Sequence, residues 1–312
     1  MRRSIVLTVV VAVGTLSLAV SAAQRGGGQG NPFGGPPSAD AIQVEALAAN
    51  LYVLRGGGGN TAAFIRSDGV VLVDTKLTGW GQPIIEKLRT LTDKPVTTII
   101  NTHTHFDHVN GNVEFPATVE IVAHENTKRL MEEWNPVFGL DLDNPNPFEA
   151  SKGRGMPTRT FSDQLSLGAG ADRVDLYHYG PAHTGGDTWV VFPSARVMHA
   201  GDAFPSKGAP IMDKNNGGSG VRYSDTLTRA AQTPDVDQVI TGHSAVMSMA
   251  ELAEYAAFIG DLVSAAQQSK RDGRSPEDFA NNWTVPARYS GYTQPPANSL
   301  RSNADVIFEQ TN

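Results

Sequence analysis

No cysteine occurs anywhere in the 312 residues. That absence excludes disulfides, zinc ribbons, thiolate clusters and a cysteine nucleophile, so stability must come from a packed core and from any bound metal. Basic charge is also in short supply: 25 Lys and Arg stand against 32 Asp and Glu, for a formal net charge of −7. A nucleic-acid partner needs a basic footprint, and this balance disfavours one. With 40% hydrophobic and 18% charged residues the composition is that of a globular protein, long enough for one large domain or two small ones.

An apolar stretch from Ile5 to Val20 follows Arg2 and Arg3 and ends in small residues. It reads as a secretory signal peptide over residues 1–23, cleaved after Ala22 or Ala23. Its removal takes away two arginines and no acids, moving the net charge from −7 to −9. An uncleaved anchor is the alternative, but Thr8, Gly14, Thr15 and Ser17 dilute a stretch already near the lower limit for spanning a bilayer. The expectation is a periplasmic or secreted protein with no stable membrane insertion. The paired arginines fit twin-arginine export only weakly.

Residues 24–41 are rich in Gly and Pro and read as a flexible tether. From Ile42, short apolar runs divided by turn residues read as consecutive strands, with a hairpin turn at Ser67, Asp68 and Gly69. Helical spacing follows in Ile84, Ile85, Leu88 and Leu91, then a buried strand at VTTII. Strands are expected at TVEIVAH, DRVDLYHYG, DTWVVFP, ARVMHAG and QVITG. Helices are expected from about Thr127 to Trp134, near SDTLTRAAQ, and over MAELAEYAAFIGDLVSAAQQSK. Asn135 to about Pro157 reads as a long irregular segment, of the kind that forms a lid, a binding loop or a disordered stretch. The order of strands and helices predicts an α/β layered fold, two sheets covered by outer helices, over residues 42–270, followed by an extension over 271–312.

Three of the eight histidines and one aspartate fall within His103-Thr104-His105-Phe106-Asp107-His108, directly after the VTTII strand. Imidazole and carboxylate are costly to bury unless something pairs with them, and a metal ion is the obvious partner. Such a short loop can supply ligands to two ions at once. Three more ligand-type residues sit at the exits of expected strands beside glycines: His183, Asp202 and His243. Each of these three taken alone would be an ordinary strand-end or turn residue; their order after the cluster raises them. His124, His178 and His199 match no ligand position and read as structural.

In HTHFDH followed by His183, Asp202 and His243, the chain from about Ile42 to Lys270 resembles the metallo-β-lactamase superfamily. The resemblance implies a four-layer αβ/βα sandwich with two metals at the open edge between the sheets. It places His103, His105 and His183 on one metal, Asp107, His108 and His243 on the other, and Asp202 between them. Two zinc ions are the implied cofactors, with iron or manganese as alternatives. The main clinical zinc β-lactamases carry cysteine where this chain has Asp202; an aspartate there is more similar to glyoxalase II, lactonases and RNA-processing members. Diiron flavoproteins generally carry glutamate at the position of His105. The acidic chain disfavours the nucleases, and export disfavours glyoxalase II.

What remains is a secreted hydrolase acting on a small-molecule substrate, a lactone or other activated ester ahead of a β-lactam. A non-catalytic zinc-binding protein and an iron redox enzyme are the competing classes. Asp107 is the candidate catalytic residue, orienting the nucleophile and relaying its proton. Asp74 reads equally as a partner fixing a ligating imidazole or as a turn cap. Trp134 and Phe138 read as an apolar wall over the substrate or as local packing, and Lys207 and Lys214 as solvated. Arg55 to Gly59 lacks the lysine and helix of a phosphate loop and reads as a turn.

Overall fold

Apolar residues in the first third of the chain form short, nearly continuous runs, and the strand period sends their successive side chains to opposite faces of a sheet, both of them buried. The protein is described by a computed structural model over residues 35–140 and 144–312. In it β1 (Gln43–Ala48), β2 (Leu51–Arg55), β3 (Thr61–Ile65) and β4 (Val70–Val73) pair antiparallel. The parallel strands β5 (Val96–Ile100), β6 (Glu120–His124) and β7 (Arg159–Phe161) complete a seven-stranded sheet in sequence order. The second sheet runs β13 (Met247–Ser248), β12 (Gln238–Ile240), β11 (Val197–His199), β10 (Trp189–Phe192), β9 (Val174–Tyr177), β8 (Gln164–Leu167), with only β11 and β12 parallel.

The inner faces meet in one core. Val53, Ala62, Phe64, Val71 and Val73 of the first sheet pack against Leu176, Val190, Phe192 and Ile240 of the second, and the Phe64 and Phe192 rings lie 5.2 Å apart. The intervening residues Leu54, Ala63, Val70 and Leu72 turn outward beneath Ile84 and Leu88 of α1 (Gly81–Leu88). Each such large aliphatic or aromatic side chain contributes about 1.5–3 kcal/mol on burial. Trp189, Val191, Met198 and Val239 form the other outer face, covered by α5 (Gly220–Ala231), α6 (Met249–Arg271), α7 (Pro276–Asn282) and α8 (Ala297–Gln310). The result is the four-layer helix–sheet–sheet–helix sandwich that the strand pattern predicts.

Three features go beyond the sequence reading. The segment after residue 271 forms α7 and α8, whose Phe279, Leu300, Ala304 and Ile307 belong to the same buried cluster as α5 and α6. Strands β7 and β8 are short and largely exposed, so they carry little apolar signal. Within the long loop a single turn, α4 (Pro147–Ala150), is capped by Asn146 and buries Phe148. The expected signal peptide and most of the expected tether lie outside the described residues. Among the described residues no helix is long and apolar enough to cross a membrane.

Candidate metal centre

Parallel pairing puts the C-terminal ends of β4 and β5 at one edge of the first sheet, and those of β11 and β12 at the facing edge of the second. Chain leaving these ends carries the polar residues. After β5 the backbone coils into α2 (Phe106–Val109), so His103, His105, Asp107 and His108 all turn into one buried spot. His183 arrives on the loop between β9 and β10, Asp202 on the turn after β11, and His243 three residues past β12. All seven sequence-derived candidates therefore converge. Ligand atoms of His103, His105, His183 and Asp202 lie within 4.8 Å of one another, and so do those of Asp107, His108 and His243. Asp202 sits between the groups: Oδ2 is 3.8 Å from His183 Nε2 and 3.1 Å from His243 Nε2, while Oδ1 is 3.2 Å from His108 Nε2.

The hydrogen-bond network fixes which imidazole nitrogens carry protons. Thr102 Oγ1 donates to Asp74 Oδ2 at 2.7 Å, so it accepts from His103 Nδ1 at 2.9 Å. His105 Nε2 donates to Asp213 Oδ2 at 2.8 Å, His108 Nδ1 to Asp74 Oδ2 at 2.7 Å, and His183 Nδ1 to the Ile211 carbonyl at 2.7 Å. His103, His105 and His183 thus each spend their N–H on an outward partner and turn a bare lone pair inward. His105 Nδ1 then faces His183 Nε2 at 2.9 Å with no proton between them, and His103 Nε2 is buried without a partner. Two acceptors at that distance repel, and buried acceptors without donors are costly. A cation removes both penalties, so this donor set fits divalent metal, and its nitrogen and carboxylate chemistry suits zinc, iron or manganese.

Electrostatics point the same way. Burial, with help from the neighbouring imidazoles, holds His103 well below its usual pKa and His183 at about 4, so both present neutral nitrogen. Burial opposes charge on His108 as well, yet Asp202, Asp107 and Asp74 together push it well above the usual range. The surroundings of His108 thus favour a positive charge there. Burial works against ionised Asp202, but His243 and His108 hold it well below the ordinary carboxylate range.

Supporting residues are equally specific. Asp74, with φ +64 just past β4, braces the centre, accepting from Thr102 N and Oγ1 and from His108, so it acts as the partner of a cluster imidazole rather than as a cap on its own turn. Asp187 accepts from Ala182 N, Thr184 N and Thr184 Oγ1 and so fixes the loop that carries His183. Lys76 is fully buried and donates to the carbonyls of Leu54 and Gly59 at 2.9 and 2.7 Å. Gly59 abuts His108: a Cβ there would lie 2.2 Å from His108 Cε1. Asn60 ties the first sheet to the His243 loop through Gly242, Thr241 and Ser244.

Asp213, like Thr102 and Asp187, is a supporting position that sequence reasoning missed. It lay within a polar run, DKNNGGSG, with nothing local to single it out, and only the fold brings it to His105. Its other oxygen, Oδ1, accepts from Phe138 N at 2.9 Å. His124, His178 and His199 join no candidate cation group among the described residues. His199 donates to the Asn60 carbonyl and accepts from Gly201 N, which shapes the turn before Asp202. Lys207 and Lys214 pair with Glu251 and Glu309. Phe138 packs into the helical core cluster beneath Lys214, whereas Trp134 stacks edge-on against Phe148 and lines a small cavity with Phe106.

Comparison with known proteins bears on this geometry. A sequence model of the metallo-β-lactamase superfamily matches residues 54–243. The α subunit of a 2,4-dinitroanisole O-demethylase from Nocardioides sp. (strain JS1661) is 28% identical over 168 residues, 52% of this chain and 46% of that subunit. A linear primary-alkylsulfatase from Pseudomonas sp. (strain ATCC 19151) is 22% identical over 270 residues, 72% of this chain and 50% of the sulfatase. The chain thus spans about half the length of these curated relatives. Among solved structures, a metallo-β-lactamase from Pontibacter korlensis superposes with TM-score 0.57 at 17% identity, covering 70% of this chain and 99% of that one. The DIM-1 metallo-β-lactamase gives 0.57 at 15% identity, covering 70% and 97%. At such identities the likeness shows the fold alone.

Proposed function

Because the chain belongs to the metallo-β-lactamase superfamily, we propose that it is an exported dinuclear zinc hydrolase of a small cyclic or activated acyl compound, a lactone or ester. The observation that carries this reading is the set of three buried imidazoles, His103, His105 and His183, that each donate outward and leave a lone pair facing inward, beside His108, whose surroundings favour positive charge. His103, His105 and His183 would hold one ion, Asp107, His108 and His243 the other, and Asp202 would touch both. Bound there, the metals supply a water of lowered pKa and an electrophile for the substrate carbonyl.

The rest falls to the chain. Thr102, Asp213, Asp74 and the Ile211 carbonyl hold the imidazoles in the tautomers that keep their inward nitrogens free. Asp107 Oδ2, 3.4 Å from His243 Nε2, stands on the more open side of the centre, where the His243 side chain is 32% exposed. From there Asp107 orients the attacking water and passes its proton to the leaving group. Asp202, kept ionised by His243 and His108, contributes negative charge and no proton.

The test is turnover by the purified, metal-analysed protein across lactones, esters, thioesters, β-lactams and phosphodiesters. An aryl methyl ether and an alkyl sulfate join the panel because of the curated relatives. Hydrolysis of a lactone or ester with about two zinc per chain is the expected result; stoichiometric metal with no turnover on any substrate refutes the reading. Recovery of the mature chain in the periplasmic or secreted fraction checks the location.

A further inference from the structure

Strand β4 gives way to three fully buried polar residues, Asp74, Thr75 and Lys76. Asp74 (φ +64) and Lys76 (φ +69) both sit in the left-handed region, which costs a residue with a Cβ about 1–3 kcal/mol and persists only where the surroundings over-determine it. Here they do. Asp74 accepts from His108 Nδ1, Thr75 N donates to the His108 carbonyl at 2.7 Å, and the Lys76 carbonyl accepts from Gly111 N at 3.1 Å. Three consecutive residues thus grip the segment that carries His108.

The Lys76 side chain reaches further. Its Nζ donates to the Leu54 carbonyl at 2.9 Å and to the Gly59 carbonyl at 2.7 Å, and so ties together the two ends of the glycine-rich turn between β2 and β3. That turn lies on Asp107 and His108. Gly59 N donates to the Asp107 carbonyl at 3.0 Å. A Cβ on Gly58 would come within 2.6 Å of the same oxygen and 3.2 Å of Asp107 Cβ, and one on Gly59 within 2.2 Å of His108 Cε1. Among the described residues no hydrogen bond joins the turn to His103, His105 or His183. The His183 loop has a brace of its own, from the first turn of α3 (Glu125–Glu133): Asn126 Nδ2 donates to the Gly185 carbonyl and Thr127 Oγ1 to the Gly186 carbonyl, each at 2.8 Å.

We propose that Lys76 is a positioning residue for one half of the centre: by closing the turn before β3 it sets where Asp107 and His108 point, and it leaves the half made by His103, His105 and His183 alone. The inference rests on the two-ion reading above. Burial lowers the lysine pKa from 10.5 to about 7 against the pull of Asp74 and Asp107. Either protonation state serves, since an ammonium and a neutral amine both carry the two N–H groups that the carbonyls take. An unbranched apolar side chain would fill the space and hold nothing.

The test compares Lys76→Met with wild type in the metal-stripped full chain. Hydrogen exchange at the Gly59 amide is expected to quicken by about tenfold or more, while amides between β4 and β5 stay as protected as in wild type. In a cobalt(II) titration the tighter equivalent, held by the three imidazoles, should bind within twofold of wild type and the weaker one about tenfold or more less tightly. A lysine that only supports the fold would weaken both or neither. Gly59 exchange at the wild-type rate, or equal effects on the two equivalents, overturns the proposal. Wild type that takes up fewer than two cobalt ions removes the two-ion reading instead, and Gly59 exchange then decides the role of Lys76 by itself. If Lys76→Met does not fold, the Lys76 ¹⁵Nζ resonance of wild type decides: it should move with the second equivalent of zinc and not the first, and a resonance that ignores the second overturns the proposal.

Discussion

Substituting Asp213→Asn changes one oxygen to an amide and tests the tautomer argument directly. Both carboxylate oxygens now accept: Oδ1 from Phe138 N and Asn215 N, Oδ2 from His105 Nε2 and Asn216 Nδ2. Asparagine offers one acceptor, so one side must face donor against donor. If the amide turns toward His105, that ring must present a lone pair on Nε2 and move its proton to Nδ1, the atom aimed at His183. The inward acceptor is then gone. A buried hydrogen bond to a charged acceptor contributes about 1.5–3 kcal/mol, which is roughly the 10- to 100-fold loss of metal affinity seen when such supporting partners are removed. Chelator competition on metal-stripped protein measures it, with ¹⁵N chemical shifts of the His105 ring as a second readout. Zinc affinity within twofold of wild type, with the His105 proton still on Nε2, would refute the reasoning.

Stripping the metals should lower the melting temperature. Ligand at a hundred times its Kd stabilises by about 2.7 kcal/mol, worth roughly 4–5 °C in a chain of this size; equal melting curves with and without zinc count against a metal centre. Gly59→Ala places a Cβ 2.2 Å from His108 Cε1, so the ring must move, and the variant should bind one equivalent of metal normally and the second weakly, as read by metal analysis after dialysis. His124 donates to the Ser162 carbonyl and accepts from Asn126 N, and burial, aided by the stacked His178 ring, lowers its pKa from 6.5 to about 4. Between those values the unfolded chain binds a proton that the folded chain refuses, so stability falls as pH drops from 6.5 toward 4. The advantage of wild type over His124→Gln in urea midpoint should shrink from pH 7 to pH 5, and a pH-independent difference would remove this assignment.

The residues that could be read from the sequence are those whose chemistry is dense in the chain. HTHFDH packs four polar groups behind a buried strand, and the alternation of Val71 with Leu72 or Phe64 with Ala63 declares two-sided burial before any coordinates are known. His183, Asp202 and His243 were legible through order and adjacent glycines. Asp213, Thr102 and Asp187 were not, because each acts on a histidine through a contact made only after folding. Lys76 is harder still, since a fully buried lysine satisfied by two backbone carbonyls looks in sequence like any solvated one. Helix α8 escaped notice because its apolar positions Leu300, Ala304, Val306 and Ile307 are few and their target is a distant surface.

That last helix has a consequence for how the protein comes into being. Asn303 clasps Met212 N and the Pro210 carbonyl, Gln310 accepts from Gly220 N and donates to the Gly218 carbonyl, and Ile307 lies against Gly220. The turn bearing Asp213 is thus buttressed by residues that leave the ribosome nearly a hundred positions later. A chain interrupted before α8 would hold all seven inward-facing groups and still lack the brace on their setting. If the centre binds metal as proposed, a chain cut before Ala297 should hold the ion less tightly than the full chain.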